Sequence, residues 1–167
     1  MQPVKNKTVY RNSFNFLRGL LDMLMEIPVR LRGTPMIEIG SGIGESTRIF
    51  SLFFSPVYSI DPLPNVDSKA EFIKMTRGRN IINISKFSFE AINYVPDKVS
   101  FVYIDGNHKY NAVKEDIKNY LPKIISGGFI GGHDYQNSGN IEVEPAVNEL
   151  LGKPDKIFID HSWIKQI

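Results

Sequence analysis

MIEIGSGIGESTRIF, residues 36–50, places a short apolar segment before a turn with three glycines and a helix-like stretch after it. Gly40, Gly42 and Gly44 allow the backbone to turn sharply and approach a ligand, while the next helix presents its N-terminal amides. In the dinucleotide-binding fingerprint GxGxxG, the third glycine falls at the position that Glu45 occupies here. A negative side chain at the start of a helix repels a pyrophosphate. The turn therefore favours a ligand with little or no phosphate over NAD or FAD.

The rest of the chain alternates β-branched or aromatic segments with amphipathic stretches, which predicts an α/β fold with helices on both faces of a parallel sheet. The predicted strands are MIEIG, VYSID, NIINIS, VSFVYID, GGFIGGHD, KIFID and SWIKQI. The predicted helices are GESTRIFSLFF, VDSKAEFIKMTRGR, SFEAINYV, YNAVKEDIKNYLPKII and VEPAVNELLG. In the fourth helix, Val113, Ile117, Leu121 and Ile124 are expected to face the sheet, and Pro122 is expected to kink or end it.

Three acidic residues come at or just after predicted strands, at the sheet edge where such folds bind ligands. Asp61 ends the second strand, Asp105 ends the fourth, and Asp134 follows the fifth. An acid about 20 residues past a glycine turn is expected to hold ribose hydroxyls. Asp61 meets this condition, so the sequence predicts a ligand that contains a nucleoside.

The composition is that of a single soluble globular domain. The chain has 167 residues, a formal net charge of +2 and no cysteine. The missing thiols exclude disulfides, thiolate metal sites and cysteine nucleophiles. The nearly balanced charge gives no support for a nucleic-acid partner. We expect a cytoplasmic protein without membrane attachment.

The segment RNSFNFLRGLLDMLMEIP is interrupted by charges and is too short in its apolar runs for a membrane span. Its spacing predicts an amphipathic helix with Phe14, Leu17, Leu21 and Leu24 on one apolar stripe, ending before Pro28. We expect this helix to pack on the edge of its own domain; the alternatives are a lid over the site or half of a homodimer contact.

Several motifs together resemble the class I S-adenosylmethionine-dependent methyltransferases, in particular a small O-methyltransferase-like branch. The motifs are EIGSGIG, VYSIDP, VSFVYIDGNHKYNAVKEDIKNYLPKIISGGFIGGHDY and a late SW. The resemblance covers residues 34–167 and leaves residues 1–33 as an N-terminal helical extension. It implies a Rossmann-like sheet of about seven mostly parallel strands with an antiparallel final strand, and S-adenosylmethionine as the cofactor.

The resemblance also implies roles for individual residues in cofactor binding. Glu38 would orient the methionine end, and Asp61 would take the ribose hydroxyls. The residues expected along the methionine moiety are Gly40, Ser41, Gly42 and Gly44, with Asp105 nearby. The residues expected around adenine are Pro62, Leu63, Ser85, Lys86 and Phe87, although this stretch has no acid to accept from the adenine amino group. We expect Phe87 or Phe89 to pack in the core.

Two routes to methyl transfer remain open from the sequence. Asp105, His133 and Asp134 match the positions that hold a divalent cation in catechol-type relatives, and the imidazole favours manganese or another transition metal over magnesium. In the alternative route, His133 or His108 accepts the proton of the acceptor. Asn107 stands where relatives commonly carry Asp, which lowers the negative charge available to a cation.

The resemblance favours O-methylation of a small molecule or sugar hydroxyl. The polar segment QNSGNIEVEP is expected to form a loop near the acceptor. One alternative is a cofactor-binding module without turnover, and another is a nucleotide-binding oxidoreductase, which the glycine spacing and Glu45 oppose. DNA-base methylation is disfavoured because IDGNHKY stands where an NPPY-like motif would be expected.

Overall fold

The computed structural model describes residues 13–63 and 65–167, with the side chains of residues 13–16 left out of the description. Within these ranges, seven strands form one sheet in the order β3-β2-β1-β4-β5-β7-β6. β1 to β5 run parallel, and β7 is antiparallel to both β5 and β6. The strands are β1 Met36–Ile39, β2 Val57–Ile60, β3 Ile81–Ile84, β4 Val99–Ile104, β5 Ile124–Gly132, β6 Lys156–Ile157 and β7 Trp163–Gln166. The predicted mostly parallel, Rossmann-like sheet with an antiparallel final strand is confirmed.

The helices alternate with the strands as far as β5, as the sequence pattern predicts. They are α1 Ser13–Glu26, α2 Glu45–Phe50, α3 Val66–Thr76, α4 Ser88–Ala91, α5 Tyr110–Tyr120 and α6 Val143–Leu151. Short 3₁₀ turns follow α1, α4 and α5 at Val29–Leu31, Ile92–Tyr94 and Leu121–Lys123. No helix in the described ranges is long and apolar enough to cross a membrane.

Successive residues of β1 point to opposite faces of the sheet and divide the core in two. Ile37 and Ile39 belong to a cluster with buried residues of α4, α5 and α6. Met36 belongs to a second cluster with α1, α2 and the aromatic side chains Phe101 and Tyr103 of β4. Helices therefore cover both faces of the sheet.

The helix α1 ends at Glu26, before Pro28 as expected, but its buried stripe differs from the predicted one. Leu24 is buried, whereas Leu17 is 42% exposed and Leu21 is half-buried. The residues that α1 packs into the second cluster are Leu20, Met23 and Leu24, and Ile27 joins them directly after the helix. Apolar residues occur on both sides of this helix, so the spacing alone did not decide which stripe meets the sheet. The side chain of Phe14 lies outside the described residues.

The predicted fourth helix is shorter than the sequence suggested. α5 ends at Tyr120, and Leu121 and Pro122 form a 3₁₀ turn. Ile124 is the first residue of β5, so the prediction that it shares a helical face with Val113 is wrong. Pro122 provides the reason, because it has no amide hydrogen to continue the helix. Leu121 and Ile124 still pack against the core from their new positions.

The strand order reverses direction between β1 and β4, which lie side by side in the sheet. Ligands of open α/β sheets bind beyond the carboxyl ends of the strands at such a point. The glycine turn follows β1, and Asp105 follows β4. The fold therefore brings these two segments together.

Candidate functional site

The glycine turn runs directly against the loop after β4. Gly40 has φ +87°, and a Cβ on it would lie 2.1 Å from the carbonyl oxygen of Asp105. The Gly40 amide donates to the Ile60 carbonyl at 2.8 Å, and the Asp105 amide donates to the Ile39 carbonyl at 2.8 Å. A side chain at position 40 would thus collide with the backbone after β4, and the positive φ is unfavourable for any residue with a Cβ. Glycine is required there for these two independent reasons.

Asp61 connects the end of β2 to the glycine turn. Its carboxylate accepts from the Gly42 amide at 3.0 Å and from the Leu63 amide at 2.8 Å. Gly42 and Leu63 both have positive φ, at +50° and +44°. Asp61 therefore fixes two turns of unusual backbone conformation, and its side chain also lines the cavity described next.

A cavity of about 640 Å³ extends from the glycine turn past Asp61 to the start of α4. Its volume lies within the usual range for small-molecule sites. The predicted site residues that line it are Gly40, Ser41, Gly42, Asp61, Pro62, Lys86, Phe87, Asp105 and His108. Glu38, Gly44, Leu63 and Ser85 adjoin this region without lining it, and His133 and Asp134 do not line it either. Most of the predicted cofactor residues thus share one cavity.

Glu38 lies under the glycine turn with its side chain fully buried. Its Oε1 accepts from the Ser46 hydroxyl at 2.5 Å, and no described atom forms a hydrogen bond with its Oε2. Burial raises the pKa of Glu38 to about 7, and the charges of Asp105 and Asp61 act in the same direction, against the Ser46 hydrogen bond. This carboxyl group is therefore only partly ionised at neutral pH.

The segment expected near adenine forms an exposed aromatic surface. Ser85 donates to the Pro62 carbonyl at 3.2 Å, and the Lys86 ammonium lies 4.9 Å from the centre of the Tyr94 ring. Phe87 and Phe89 are 56% and 55% exposed, so the expectation that one of them packs in the core is wrong. Their rings stack on each other with centroids 5.7 Å apart. The residue that α4 buries is Ala91.

Several cavity residues were not predicted from the sequence. Asp116 and Ser88 are the polar ones of greatest interest, and the others are Ile39, Ile43, Ser46, Ile60 and Gly106. Asp116 lies on the buried face of α5 between Val113 and Ile117. The sequence does contain a signal for Asp116. It is an acid at helical spacing among apolar residues, whereas an acid on a solvated helix face would lie among polar residues.

Two histidines and two aspartates meet at the ends of β4 and β5. His108 places Nε2 3.1 Å from Asp105 Oδ1 and Nδ1 3.1 Å from Asp134 Oδ2. His133 Nδ1 lies 3.1 Å from Asp134 Oδ1 and 3.9 Å from Asp105 Oδ1. Atoms of Asp105, His108 and Asp134 lie within 4.8 Å of one another, so these three residues form a candidate metal site. His108 takes the place in this set that the sequence assigned to His133, whose role as a ligand stays a prediction.

The charges in this cluster are strongly coupled. The hydrogen bond to Asp105 raises the pKa of His108 above its usual value, although burial opposes this effect. Burial lowers the pKa of His133, but the hydrogen bond to Asp134 and the nearby carboxylates outweigh it and leave the pKa raised. Burial acts to raise the pKa of Asp134, and the two histidines and Asn137 overcome it, so this pKa lies well below its usual range. Asp134 is therefore an ionised, buried carboxylate.

The loop after β5 holds Asp134 and borders a second cavity. Asn137 and Asn140 donate to the two oxygens of Asp134 at 2.5 Å and 2.6 Å. A cavity of about 470 Å³ lies between this loop and the loop after β4. Its lining consists of Gly106, Asn107, His108, Lys109, Gly139, Asn140, Ile141 and Glu142. The predicted loop QNSGNIEVEP thus supplies one wall of a polar cavity next to the histidine cluster.

The fold of this chain is similar to that of several solved methyltransferases. The O-methyltransferase NovP has a TM-score of 0.73 and 15% identity, covering 91% of this chain and 79% of that chain. Fibrillarin from Aeropyrum pernix, solved with natively bound S-adenosyl-L-methionine, has a TM-score of 0.67 and 16% identity, covering 91% and 74%. An rRNA methylase from Streptococcus thermophilus has a TM-score of 0.62 and 15% identity, covering 81% and 78%. These similarities establish the fold.

The fold and the glycine turn are those of a class I S-adenosylmethionine-dependent methyltransferase. A family model described as a methyltransferase domain matches residues 37–135, more than half of the chain, and the chain belongs to this family. A curated relative, the uncharacterized protein R132 of Acanthamoeba polyphaga mimivirus, is 27% identical over 128 residues. The match covers 69% of this chain, which spans 58% of the relative's length. The family match removes the support for the oxidoreductase alternative.

Proposed function

We propose that this protein transfers a methyl group from S-adenosylmethionine to a hydroxyl oxygen of a small molecule or sugar. The position of His108 carries the proposal. His108 lines both the cavity beside the glycine turn and the second cavity next to the loop after β5. It also contacts Asp105 and Asp134 through its two ring nitrogens. A proton-accepting cluster thus lies between a cavity for the methyl donor and a cavity for the acceptor.

The larger cavity fits the cofactor in its charges as well as its volume. Asp61 would accept from the ribose hydroxyls, and Gly40, Ser41 and Gly42 would lie along the methionine moiety. Glu45 is exposed at the start of α2 and lines the cavity, where it disfavours a pyrophosphate. When bound, the cofactor supplies an activated methyl group on sulfur, so the protein has to align an acceptor oxygen and remove its proton.

His108 is the residue best placed to accept that proton. It is half-buried beside the second cavity, and Asp105 and Asp134 stabilise its protonated form. A base with a raised pKa binds the acceptor's proton more strongly, but it must first be deprotonated itself. His133 would support this step indirectly, through its contact with Asp134.

The same residues fit a divalent cation. Asp105, His108 and Asp134 offer two carboxylates and an imidazole, a donor set suited to manganese, iron or zinc rather than magnesium. A bound cation would lower the pKa of an acceptor hydroxyl and hold it in place. Both ring nitrogens of His108 contact carboxylates, and loss of one proton from this imidazole leaves a nitrogen that can serve as a base or as a ligand.

The second cavity favours a small polar acceptor. Its walls carry Asn107 and Asn140, with the Lys109–Glu142 ion pair at 2.8 Å. Amide and charged side chains of this kind hydrogen-bond hydroxyl groups. The similarity to an O-methyltransferase supports an oxygen acceptor, and we keep N-methylation as an outcome of the test.

The proposal is tested in two stages with the purified chain. Calorimetry should detect S-adenosylhomocysteine binding, with no saturation by NADH. Transfer from methyl-labelled S-adenosylmethionine is then measured over matched panels of hydroxyl and amine acceptors, with EDTA or with added manganese. Activity on hydroxyl acceptors supports the proposal. Tight binding of the cofactor product without transfer to any acceptor would instead favour a binding module without turnover.

A further inference from the structure

A groove between α3 and β3, the β3 groove, lies apart from the two cavities of the proposed methyl transfer. It runs from Lys69 on α3 to Asn83 on β3 and has a volume of about 630 Å³. None of its lining residues lines either of the other cavities. β3 is the edge of the sheet and pairs with β2 alone among the described strands. The proposed function therefore leaves this surface without a role.

The lining of the β3 groove contains four cations and no acid. Lys69 and Lys74 lie on α3, and Arg77 and Arg79 follow it. None of the ion pairs in the described ranges includes any of these four residues. The two acids of α3 are exposed and do not line the groove. A cleft lined by charges of one sign raises the local concentration of groups of the opposite sign. The groove therefore favours an anionic partner.

The outer edge of β3 also presents main-chain groups to a partner. Amides of β2 donate to the carbonyls of Asn80 and Ile84 at 3.1 Å and 3.3 Å. Because the main-chain groups of successive strand residues point to opposite edges, those of Ile81 and Asn83 point away from β2. The Ile81 amide donates to the Arg79 carbonyl at 3.0 Å. The Ile81 carbonyl and both main-chain groups of Asn83 are thus directed at a possible further strand.

The side chains of β3 do not protect this edge. Edge strands are commonly shielded from pairing by their own charges or by proline, whereas β3 has the sequence IINI. Ile82 is 41% exposed, and Ile73 beside it in the groove wall is 58% exposed. Apolar surface next to outward main-chain groups fits a peptide strand, whose side chains contact the surface while its backbone extends the sheet.

A nucleic acid fits the β3 groove less well. Single strands bind through aromatic side chains on which their bases stack, together with cations that follow the phosphates. Among the described residues, Phe72 is the one aromatic side chain in the lining, and it is only 3% exposed. A nucleic acid would also leave the main-chain groups of Ile81 and Asn83 without strand partners. The cations alone are common to both kinds of ligand.

The first twelve residues of this chain do not match the groove in charge. Residues 1–12 contain Lys5, Lys7 and Arg11 and no acid. The complementary occupant carries carboxylates instead. We propose that the edge of β3 binds an extended acidic segment of a protein partner, which adds to the sheet as a further strand and places its carboxylates against the four cations. This proposal does not depend on the methyl-transfer function.

The test measures peptide binding to the full chain by fluorescence anisotropy. The probe is a labelled peptide of alternating glutamate and valine, about nine residues long, with blocked ends. As a strand, it carries its carboxylates on one face and its valines on the other. The same peptide with glutamine in place of glutamate should bind at least about tenfold more weakly. Raising the salt from about 0.05 M to about 0.5 M should weaken the acidic peptide by a similar factor.

A second peptide tests strand addition without any change to the protein. N-methylation of every residue keeps the carboxylates but removes all amide hydrogens, and the methyl groups block pairing along both edges of the peptide. It should bind the wild type at least about tenfold more weakly than the parent peptide. Equal affinity would mean that charge alone holds the peptide, and strand addition at β3 would be wrong.

Variants of the protein locate the binding surface. Lys74→Glu combined with Arg77→Glu reverses two charges of the groove and should weaken the acidic peptide at least about tenfold. Lys98→Glu combined with Lys153→Glu changes the net charge equally at exposed positions outside the groove and should keep the affinity within about twofold. Asn83→Pro removes an outward amide, which an edge strand tolerates, and should weaken binding about tenfold.

A single-stranded oligonucleotide of about ten nucleotides serves as the competing probe. If it binds and loses affinity in the groove charge-reversal variant, while the acidic peptide does not bind at about 1 mM, the groove is a nucleic-acid site and the proposal is wrong. If neither probe binds, the cations only protect the edge of the sheet, and the proposal is also wrong. Acidic-peptide binding that both charge reversal and Asn83→Pro weaken supports it.

Discussion

Glu38 is an acid in the core whose ionisation opposes folding. Its pKa is raised to about 7 by burial, whereas an unfolded glutamate titrates near 4.3. A group whose folded pKa is raised gives its full stability below the unfolded pKa, and this stability is lost as the pH rises through the folded value. The shift corresponds to roughly 3 kcal/mol between about pH 4 and pH 8.

We therefore predict that Glu38→Gln makes the stability of the protein less dependent on pH. The free energy of unfolding of the wild type should fall between about pH 5 and pH 8, and the variant should lose part of this fall. Urea unfolding at several pH values measures the effect. Asp116 and the two histidines have raised pKa values and act in the same direction, so only the difference between the variant and the wild type isolates Glu38. Parallel curves for the two proteins would contradict the prediction.

Asp61 and Asp134 should separate cofactor binding from methyl transfer. Asp61 lines the larger cavity and holds the Gly42 amide, so Asp61→Ala should abolish S-adenosylhomocysteine binding in calorimetry. Asp134 lies outside that cavity and contacts both histidines, so Asp134→Ala should keep binding within a few-fold and stop transfer. The Asp22→Ala variant, which loses a carboxylate in an exposed ion pair on α1, serves as a matched control for both measurements. Equal loss of binding in both Asp variants would mean that the acceptor side is misassigned.

At the scale of elements, the glycine turn depends on its glycines to different degrees. A Cβ on Gly40 would collide with the Asp105 backbone, whereas one on Gly42 meets no described atom within 4 Å. Both residues have positive φ, so both alanine variants share the cost of the backbone conformation. Only Gly40→Ala adds a steric conflict between the turn after β1 and the loop after β4.

We predict a loss of roughly 2 to 5 kcal/mol in the free energy of unfolding for Gly40→Ala. For Gly42→Ala the expected loss is about 1 to 2 kcal/mol. Denaturant unfolding of the two variants measures the difference, and Gly33→Ala, with φ +75° and open space around it, is a second reference. Similar losses for all three variants would show that the contact between the turn and the β4 loop is unimportant.

The sequence predicted the positions of the strands and helices better than it predicted the faces through which they pack against one another. Local patterns determine where a strand or helix forms, and all seven expected strands lie in the sheet. Leu17 was assigned to the buried stripe of α1, because the sequence does not say from which side the sheet approaches. Asp116 and the pairing of His108 with two carboxylates were missed for the same reason, since each depends on contacts between separate elements.

On the scale of the whole molecule, α1 packs one stripe against the sheet and leaves another exposed among the residues that the structure describes. Leu20, Met23 and Leu24 are fully buried in the cluster on this face of the sheet. Leu17 and Met25 are 42% and 62% exposed, and half-buried Leu21 lies between them at helical spacing. Residues four apart share one side of a helix, so these three form an outward apolar stripe. This stripe is the surface on which the alternative of a homodimer contact depends.

The homodimer alternative predicts that the protein sediments as a dimer at micromolar concentration and that Met25→Lys shifts it to a monomer. A charge in the centre of an apolar contact has to be desolvated without a partner, which weakens association. Because Met25 is exposed in the single chain, the variant should keep the wild-type unfolding curve at low protein concentration. Leu20→Ala is a control with the opposite effect. It removes packing against the sheet, so the free energy of unfolding should fall by about 2 to 5 kcal/mol, and it leaves the outward stripe unchanged. A wild type that sediments only as a monomer would remove the dimer, and α1 would then act solely as a cover for its own sheet.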